Sequence, residues 1–359
     1  MTSPTINSDP RPGRRARLSA GVVALALASL VAAAPSSAHS KSAHHKTHSK
    51  SAHNKKVKGV RAAIKQGTLR VKGSNRGDAI ALRLKAGDLS RIQVDVGDDG
   101  SADYSFARNH VSAIDVRGRN GNDSPRIDDA NGAFTDSIPT TISGGAGNDS
   151  LEGGQTQVAA QNETFNGGPG DDLVDGGKGD DTAYLGAGND TFRWDPGEGS
   201  DVIEGQQGTD TMVFNGAAAD ETVTMSANGG RLTFFRQPGA VRMDTDGVEV
   251  VDFNALGGAD TVLVDDLTGT DVTQTNVDLA STLGGAAPDN ALDSVDVNGT
   301  NGVDNINIQG NGSGADVTGL ATAVSVKHAD TTDHLNVHTR AGADNVVQNV
   351  GGQIQLLVD

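Results

Sequence analysis

Gly144-Gly145-Ala146-Gly147-Asn148-Asp149-Ser150-Leu151-Glu152 is one copy of a nine-residue pattern, Gly-Gly-x-Gly-x-Asp-x-U-x with U apolar, that recurs as far as Val213. The units Gly167 to Asp175, Gly176 to Tyr184 and Leu185 to Arg193 follow one another without a break and place Asp172, Asp181 and Asp190 at equal spacing. After a two-residue insertion, Trp194 and Asp195, the phase resumes in Pro196 to Glu204 and Gly205 to Val213, which supply Asp201 and Asp210. The stretch Gly153 to Asn166 reads as a further unit carrying a five-residue insertion, with Glu163 in place of the aspartate. Seven consecutive units of one short period are the mark of a solenoid rather than a globule.

Each position of the unit has a physical reason. Glycine tolerates positive φ and lets backbone approach backbone, so the first six residues can turn tightly with carbonyl oxygens pointing inward. The carboxylate at position six adds charge to those carbonyls, and a hard cation such as calcium takes about six to eight oxygen ligands in flexible geometry. Positions seven to nine form a short strand, on which successive side chains face opposite ways, so the apolar residue at position eight points into the core. These residues are Leu151, Phe165, Val174, Ala183, Phe192, Ile203 and Met212. If two units complete a coil, units n and n+2 stack on one side. The expected carboxylate pairs are then Asp149 with Asp172, Glu163 with Asp181, Asp172 with Asp190, Asp181 with Asp201, and Asp190 with Asp210.

Over Gly144 to Val213 the chain resembles the haemolysin-type, or RTX (repeats in toxin), calcium-binding β-roll family. The resemblance implies an all-β fold, a right-handed parallel β-roll or β-helix solenoid, with calcium as its cofactor. It also implies a ligand set. The carboxylates would be Asp149, Asp172, Asp181, Asp190, Asp201 and Asp210, with Glu163 at the departing unit, and the loop carbonyls would come from Gly168, Gly170, Gly177, Gly179, Gly186, Gly188, Gly199 and Gly208. The sequence departs from the pattern where Leu185 and Pro196 replace the first glycine, where Gln206 replaces the second, and where Ala183 is a small core residue.

Weaker copies flank the roll. Upstream are Gly73 to Ile80 and Gly118 to Asp123; downstream are Gly257 to Val262, Gly299 to Ile306 and Gly342 to Val346. Alternating runs such as Ile92 to Val96 lie between them and read as strands. The expected organisation is therefore a degenerate β-solenoid over residues 60–143, the calcium-binding roll over 144–213, and a second degenerate solenoid over 214–359. Within the last, Asn215 to Val251 alternates like a hairpin insertion packed against the roll. The flanks would cap the open sheet edges.

Composition agrees, with 48 glycines and only 3% aromatic residues. The whole chain carries a formal charge of -17; without residues 1–58 there remain 19 basic against 45 acidic groups, or -26. Such a body repels itself until cations neutralise it, and calcium is expected to be part of the fold. Nucleic acid is not an expected partner.

The amino-terminal segment is distinct. Arg11, Arg14, Arg15 and Arg17 precede the apolar run Ala20 to Ala34, and Ser36-Ser37-Ala38 offers small residues for cleavage, so residues 1–38 read as a secretory signal peptide. The Arg14-Arg15 pair leaves the general secretory and twin-arginine routes both open. No other run approaches the roughly 20 apolar residues of a transmembrane helix. Residues 39–59 form a tail with five histidines and six lysines, reading as a solvated linker, as transition-metal capture by the imidazoles, or as a means of attachment to cell-wall or extracellular polymers. The chain has no cysteine, which leaves bound metal as the alternative staple for an exported protein.

Enzymatic signatures are missing: there is no His-Glu-x-x-His and no Gly-x-Ser-x-Gly. His328, His334 and His338 cluster with Asp330 and Asp333 along the sequence. Asp95 to Asp103 looks like a calcium loop but fails the EF-hand spacing, and Arg76-Gly77-Asp78 sits inside an eroded repeat. The chain thus reads as a secreted, non-catalytic calcium-binding protein of structural, adhesive or surface-associated role. The alternative is an extracellular β-helix protein that binds or cleaves polysaccharide.

Overall fold

A computed structural model describes residues 59–156 and 162–359. The expected signal peptide, nearly all of the His/Lys-rich tail and part of the Gly153 to Asn166 unit lie outside the described residues. The described chain is all-β, its strands gathered into two 14-stranded sheets. Two single 3-10 turns, Arg108–His110 and Asp129–Asn131, are the exceptions among the described residues. None of these residues form a helix long and apolar enough to cross a membrane.

The repeat units alternate between the sheets. Thr140–Ala146, Glu163–Pro169, Thr182–Ala187 and Val202–Gln207 pair in parallel in one sheet, and Ser150–Glu152, Leu173–Asp175, Thr191–Trp194 and Thr211–Asn215 pair in parallel in the other. Two units therefore make one coil, and Phe165 stands opposite Ala183 while Val174 stands opposite Phe192. All seven position-eight side chains are buried between the sheets. Leu185 turns into the same core, which accounts for an apolar residue where the pattern has glycine.

The two sides of a coil are not alike. In the second sheet the strands Ser150–Glu152 and Leu173–Asp175 end at position nine, as the unit suggests. In the first sheet the strands continue through positions one to three of the next unit, so that Gly168 pairs with Gly186 and Pro169 with Ala187. Glycine makes this possible, because a Cβ on Gly186 would collide with the Gly168 carbonyl of the preceding coil.

The backbone repeat extends beyond the residues that spell it. A left-handed residue stands four positions before each aspartate of the tandem units, as Gly145 does before Asp149 and Gly168 before Asp172. Arg119 (φ 101°), Gln206 (79°), Leu256 (71°) and Arg340 (62°) adopt the same conformation before Asp123, Asp210, Asp260 and Asp344. A non-glycine residue rarely enters this region, so four such residues in one register mark a shared coil geometry.

Antiparallel strands interrupt the solenoid. Thr222–Asn228, Arg231–Gln237 and Val241–Asp246 form a meander set into the first sheet, Val241–Asp246 pairing in parallel with Val202–Gln207 and Thr222–Asn228 with Thr261–Val264. The hairpin thus extends the ladder edge to edge instead of packing against its face. Its inward residue Phe234 joins an aromatic cluster at the end of the roll. Trp194, from the two-residue insertion, stacks on Phe214 with centroids 4.0 Å apart, and Phe234 and Phe253 close around Phe214 at 4.4 and 6.2 Å.

Phe214 is fully buried at the centre of this cluster. Phe214→Ala should cost about 3–5 kcal/mol of stability, measured by denaturant unfolding in saturating calcium, whereas truncating exposed Leu283 should change it by less than about 0.5 kcal/mol.

Candidate metal centre

Position six of the units builds a column in which each side chain holds the coil before it. The Asp149 N–H donates to Asp172 Oδ1 at 2.7 Å, Asp172 N–H to Asp190 Oδ1 at 2.7 Å, and Asp190 N–H to Asp210 Oδ1 at 2.9 Å. On the opposite side, Glu163 N–H donates to Asp181 Oδ1 at 2.6 Å and Asp181 N–H to Asp201 Oδ1 at 2.8 Å. The structure therefore brings together the same five pairs that the n, n+2 spacing joins.

The column is longer than the tandem motif. Asp78 N–H donates to Asp123 Oδ1 and Asp123 N–H to Asp149 Oδ1, while at the other end Asp210 N–H donates to Glu249 Oε2. Asp123 and Glu249 are absent from the expected ligand set. Asp123 carried a signal, since the eroded copy Gly118 to Asp123 ends on it; Glu249 had none. Asp78 of the Arg-Gly-Asp tripeptide is held at the column's start by its own loop, accepting from Ser74 N–H at 2.6 Å.

One oxygen of each of these aspartates is thereby satisfied. The second oxygens of Asp123, Asp149, Asp172, Asp190 and Asp210 are buried and meet no hydrogen-bond donor among the described residues. Buried polar atoms are almost always paired, and an unpaired anionic one is costly. In four of these units the orphaned oxygen sits against a glycine, a Cβ on Gly118, Gly144, Gly167 or Gly205 meeting Oδ2 of the aspartate five residues on. That contact explains why the pattern pairs glycine at position one with aspartate at position six.

The glycines stack in columns of their own. A Cβ on Gly168, Gly170, Gly186, Gly188 or Gly208 would strike the carbonyl of the corresponding glycine one coil earlier, and Gly177 and Gly179 share the left-handed conformation on the other side. Gly199 differs. It is not left-handed, and its carbonyl accepts the Trp194 indole N–H at 2.9 Å, so the insertion gives this expected ligand a partner within the protein.

A second column lies outside the first. Side-chain oxygens at position five accept the N–H of position five in the next coil: Asn122 from Asn148, Asn148 from Asp171, Asp171 from Asn189, and Asn189 from Thr209. These residues stood at a position read as free. Their short side chains, Asn or Asp in five of the seven tandem units, were the available signal.

Electrostatics point the same way. Burial pushes Asp172 up to about 7, with the neighbouring Asp149, Asp190 and Asp171 charges adding to it. Burial likewise raises Asp123 and Asp210 to about 6 and Asp201 to about 7. Asp181 is driven far up by burial and then by Glu163, whose own carboxyl burial also raises. The site offers oxygen donors only, negative charge in excess, and a backbone cradle that a Cβ would fill. This is a set that fits calcium and not a softer metal.

Other acidic groupings have partners within the protein. Asp175, Asp195 and Glu198 converge within 4.8 Å, but Arg193 bridges Asp175 and Asp195 and Glu198 accepts the Asp195 N–H at 2.8 Å. Asp95 of the EF-hand-like segment is buried on Arg83 at 2.7 Å and accepts from Gly100 N–H, forming an acidic turn. The carboxyl-terminal histidines disperse: His328 contacts Asp278, His338 lies between Asp359 and Asp296, and Asp333 is buried beneath the Asp293 N–H.

Fold and site together define a calcium-binding parallel β-solenoid. The RTX calcium-binding nonapeptide repeat matches the chain in four copies, over residues 140–155, 159–192 and 197–217. The chain thus carries RTX repeats folded as a β-roll, and calcium is their ligand. No curated protein matches the chain.

The raised carboxyls set a pH dependence. A group whose folded pKa lies above its unfolded value stabilises the fold when protonated, and that stabilisation is lost as pH rises through the folded pKa, here about 6 to 7. In chelator the protein should therefore melt higher at about pH 5 than at about pH 8. Calcium should reverse the order by displacing those protons, and thermal melts at both pH values, with and without calcium, check it.

Proposed function

We propose that the protein is an exported, non-catalytic calcium-binding module whose roll is ordered by calcium and which works at or near a surface. The column of buried carboxylate oxygens without donors carries this reading: apart from ions, nothing described in the chain neutralises them. Calcium modules outside cells work with dissociation constants of about 10⁻⁴ to 10⁻³ M, so a protein ordered there would lack its ligand before export. The arginine-rich start and apolar run of residues 11–34 support that route.

Surface attachment is supported at the amino-terminal edge. Arg61, Lys72 and Arg117 stand directly opposite one another on adjacent strands, Arg117 also paired with Asp115, with Arg70 one row away, on an otherwise strongly acidic body. Like charges facing across strands repel, and an acidic polymer would relieve them. The lysines of the tail precede Arg61 in the sequence.

Calcium titration of residues 39–359 followed by far-ultraviolet circular dichroism should show a cooperative gain of β signal near millimolar calcium and none with magnesium. Replacing Asp172 and Asp190 together by alanine should remove at least one ion and lower the cooperativity. A β spectrum indifferent to calcium and chelator would sink the proposal. Retention of the calcium-loaded protein on an acidic glycan resin should weaken with salt and be lost in Lys72→Glu/Arg117→Glu.

A further inference from the structure

We propose that a second calcium site lies outside the matched repeats, at Asp260, with Asp289 and Asp293 beside it. The proposal rests on the calcium-ordered reading of the roll and extends it to coils whose sequence no longer shows the motif.

The carboxylate column reappears downstream. Glu221 N–H donates to Asp260 Oδ1 at 2.8 Å, Asp260 N–H to Asp293 Oδ1 at 2.8 Å, and Asp293 N–H to Asp333 Oδ1 at 3.0 Å. All four side chains are at most 2% exposed. Its two ends have donors within the protein. Glu221 receives the Arg236 guanidinium, and the second oxygen of Asp333 accepts the Asp330 N–H at 2.6 Å. In the middle, Asp260 Oδ2 is buried and meets no donor among the described residues.

The backbone around that oxygen is the one the roll uses. Leu256 and Gly258 are left-handed, four and two residues before Asp260, as Gly168 and Gly170 are before Asp172. Leu256 has replaced the glycine without relaxing the conformation. Asp289 departs from the roll pattern: it comes from the loop of the next coil, and its Oδ2 accepts the Gly258 N–H at 2.9 Å. The charges of Asp293, Glu221 and Asp289 all bear on Asp260, which burial first of all raises to about 8. An oxygen-only set of this charge suits a hard divalent cation, and a proton is the one competitor the chemistry leaves.

Substitution by asparagine separates cation from proton, since it keeps the shape and the Oδ1 acceptor while removing the charge. In the full chain, Asp260→Asn/Asp293→Asn should bind at least one calcium fewer than wild type by equilibrium dialysis, keep the ions lost in the Asp172/Asp190 variant, and show a smaller rise in melting temperature with calcium. An unchanged ion count, with the variant more heat-stable than wild type in chelator, would show that a proton fills the place and overturn the site. Loss of all ions from the Asp172/Asp190 variant would overturn it too, while absence of calcium from wild type would mean that the roll reading itself had failed. Should the double variant not fold, Asp289→Asn, on a partly exposed loop, is expected to weaken one class of ions by about tenfold with the β spectrum intact, and Leu256→Gly to retain every ion; no weakening in Asp289→Asn counts against the site.

Discussion

A single aspartate oxygen accepting the backbone N–H of the coil before it is the contact on which the rest of the roll depends. It sets the rise from coil to coil, and it draws the carboxylates inward, four of them until the second oxygen is buried beside glycine. Like charges are thereby stacked in a column under conditions where burial opposes their ionisation. The geometry that aligns the coils therefore creates the electrostatic demand that calcium meets. Stability and ligand binding are two aspects of one arrangement.

Glycine makes the arrangement sterically possible, and the exceptions show what is required of it. At positions two and four the requirement is a left-handed backbone together with close approach to the preceding carbonyl. Arg119, Gln206, Leu256 and Arg340 meet the first demand at some conformational cost. The coils stay in register through these strained positions because the pairing of their neighbours over-determines the path. Leu185 shows the converse, a site where glycine can be given up because the side chain finds room in the core.

The tandem period made the register of the units legible in the sequence, because with two units to a coil the equal spacing of Asp172, Asp181 and Asp190 stacks units n and n+2. The same logic located the buried apolar residue of each unit. What stayed hidden were features that depend on distant partners. The meander reads as a hairpin, but only the pairing of Val241–Asp246 with Val202–Gln207 shows that it sits inside the sheet. Glu221 takes a repeat carboxylate's place in the column, yet Arg236 from that meander neutralises it. The position-five column uses residues whose types suit any surface turn, and its function emerges only when coils are stacked.

Trp194 is the only tryptophan in the chain, and the insertion that brings it in also ties its indole to Gly199, two residues before Asp201. It lies against Phe214 with Arg236 5.5 Å above its ring. The chromophore therefore bridges the last coil of the roll, the meander and the aromatic core behind them. Its emission colour is a built-in optical gauge of whether that junction has closed, readable without any label.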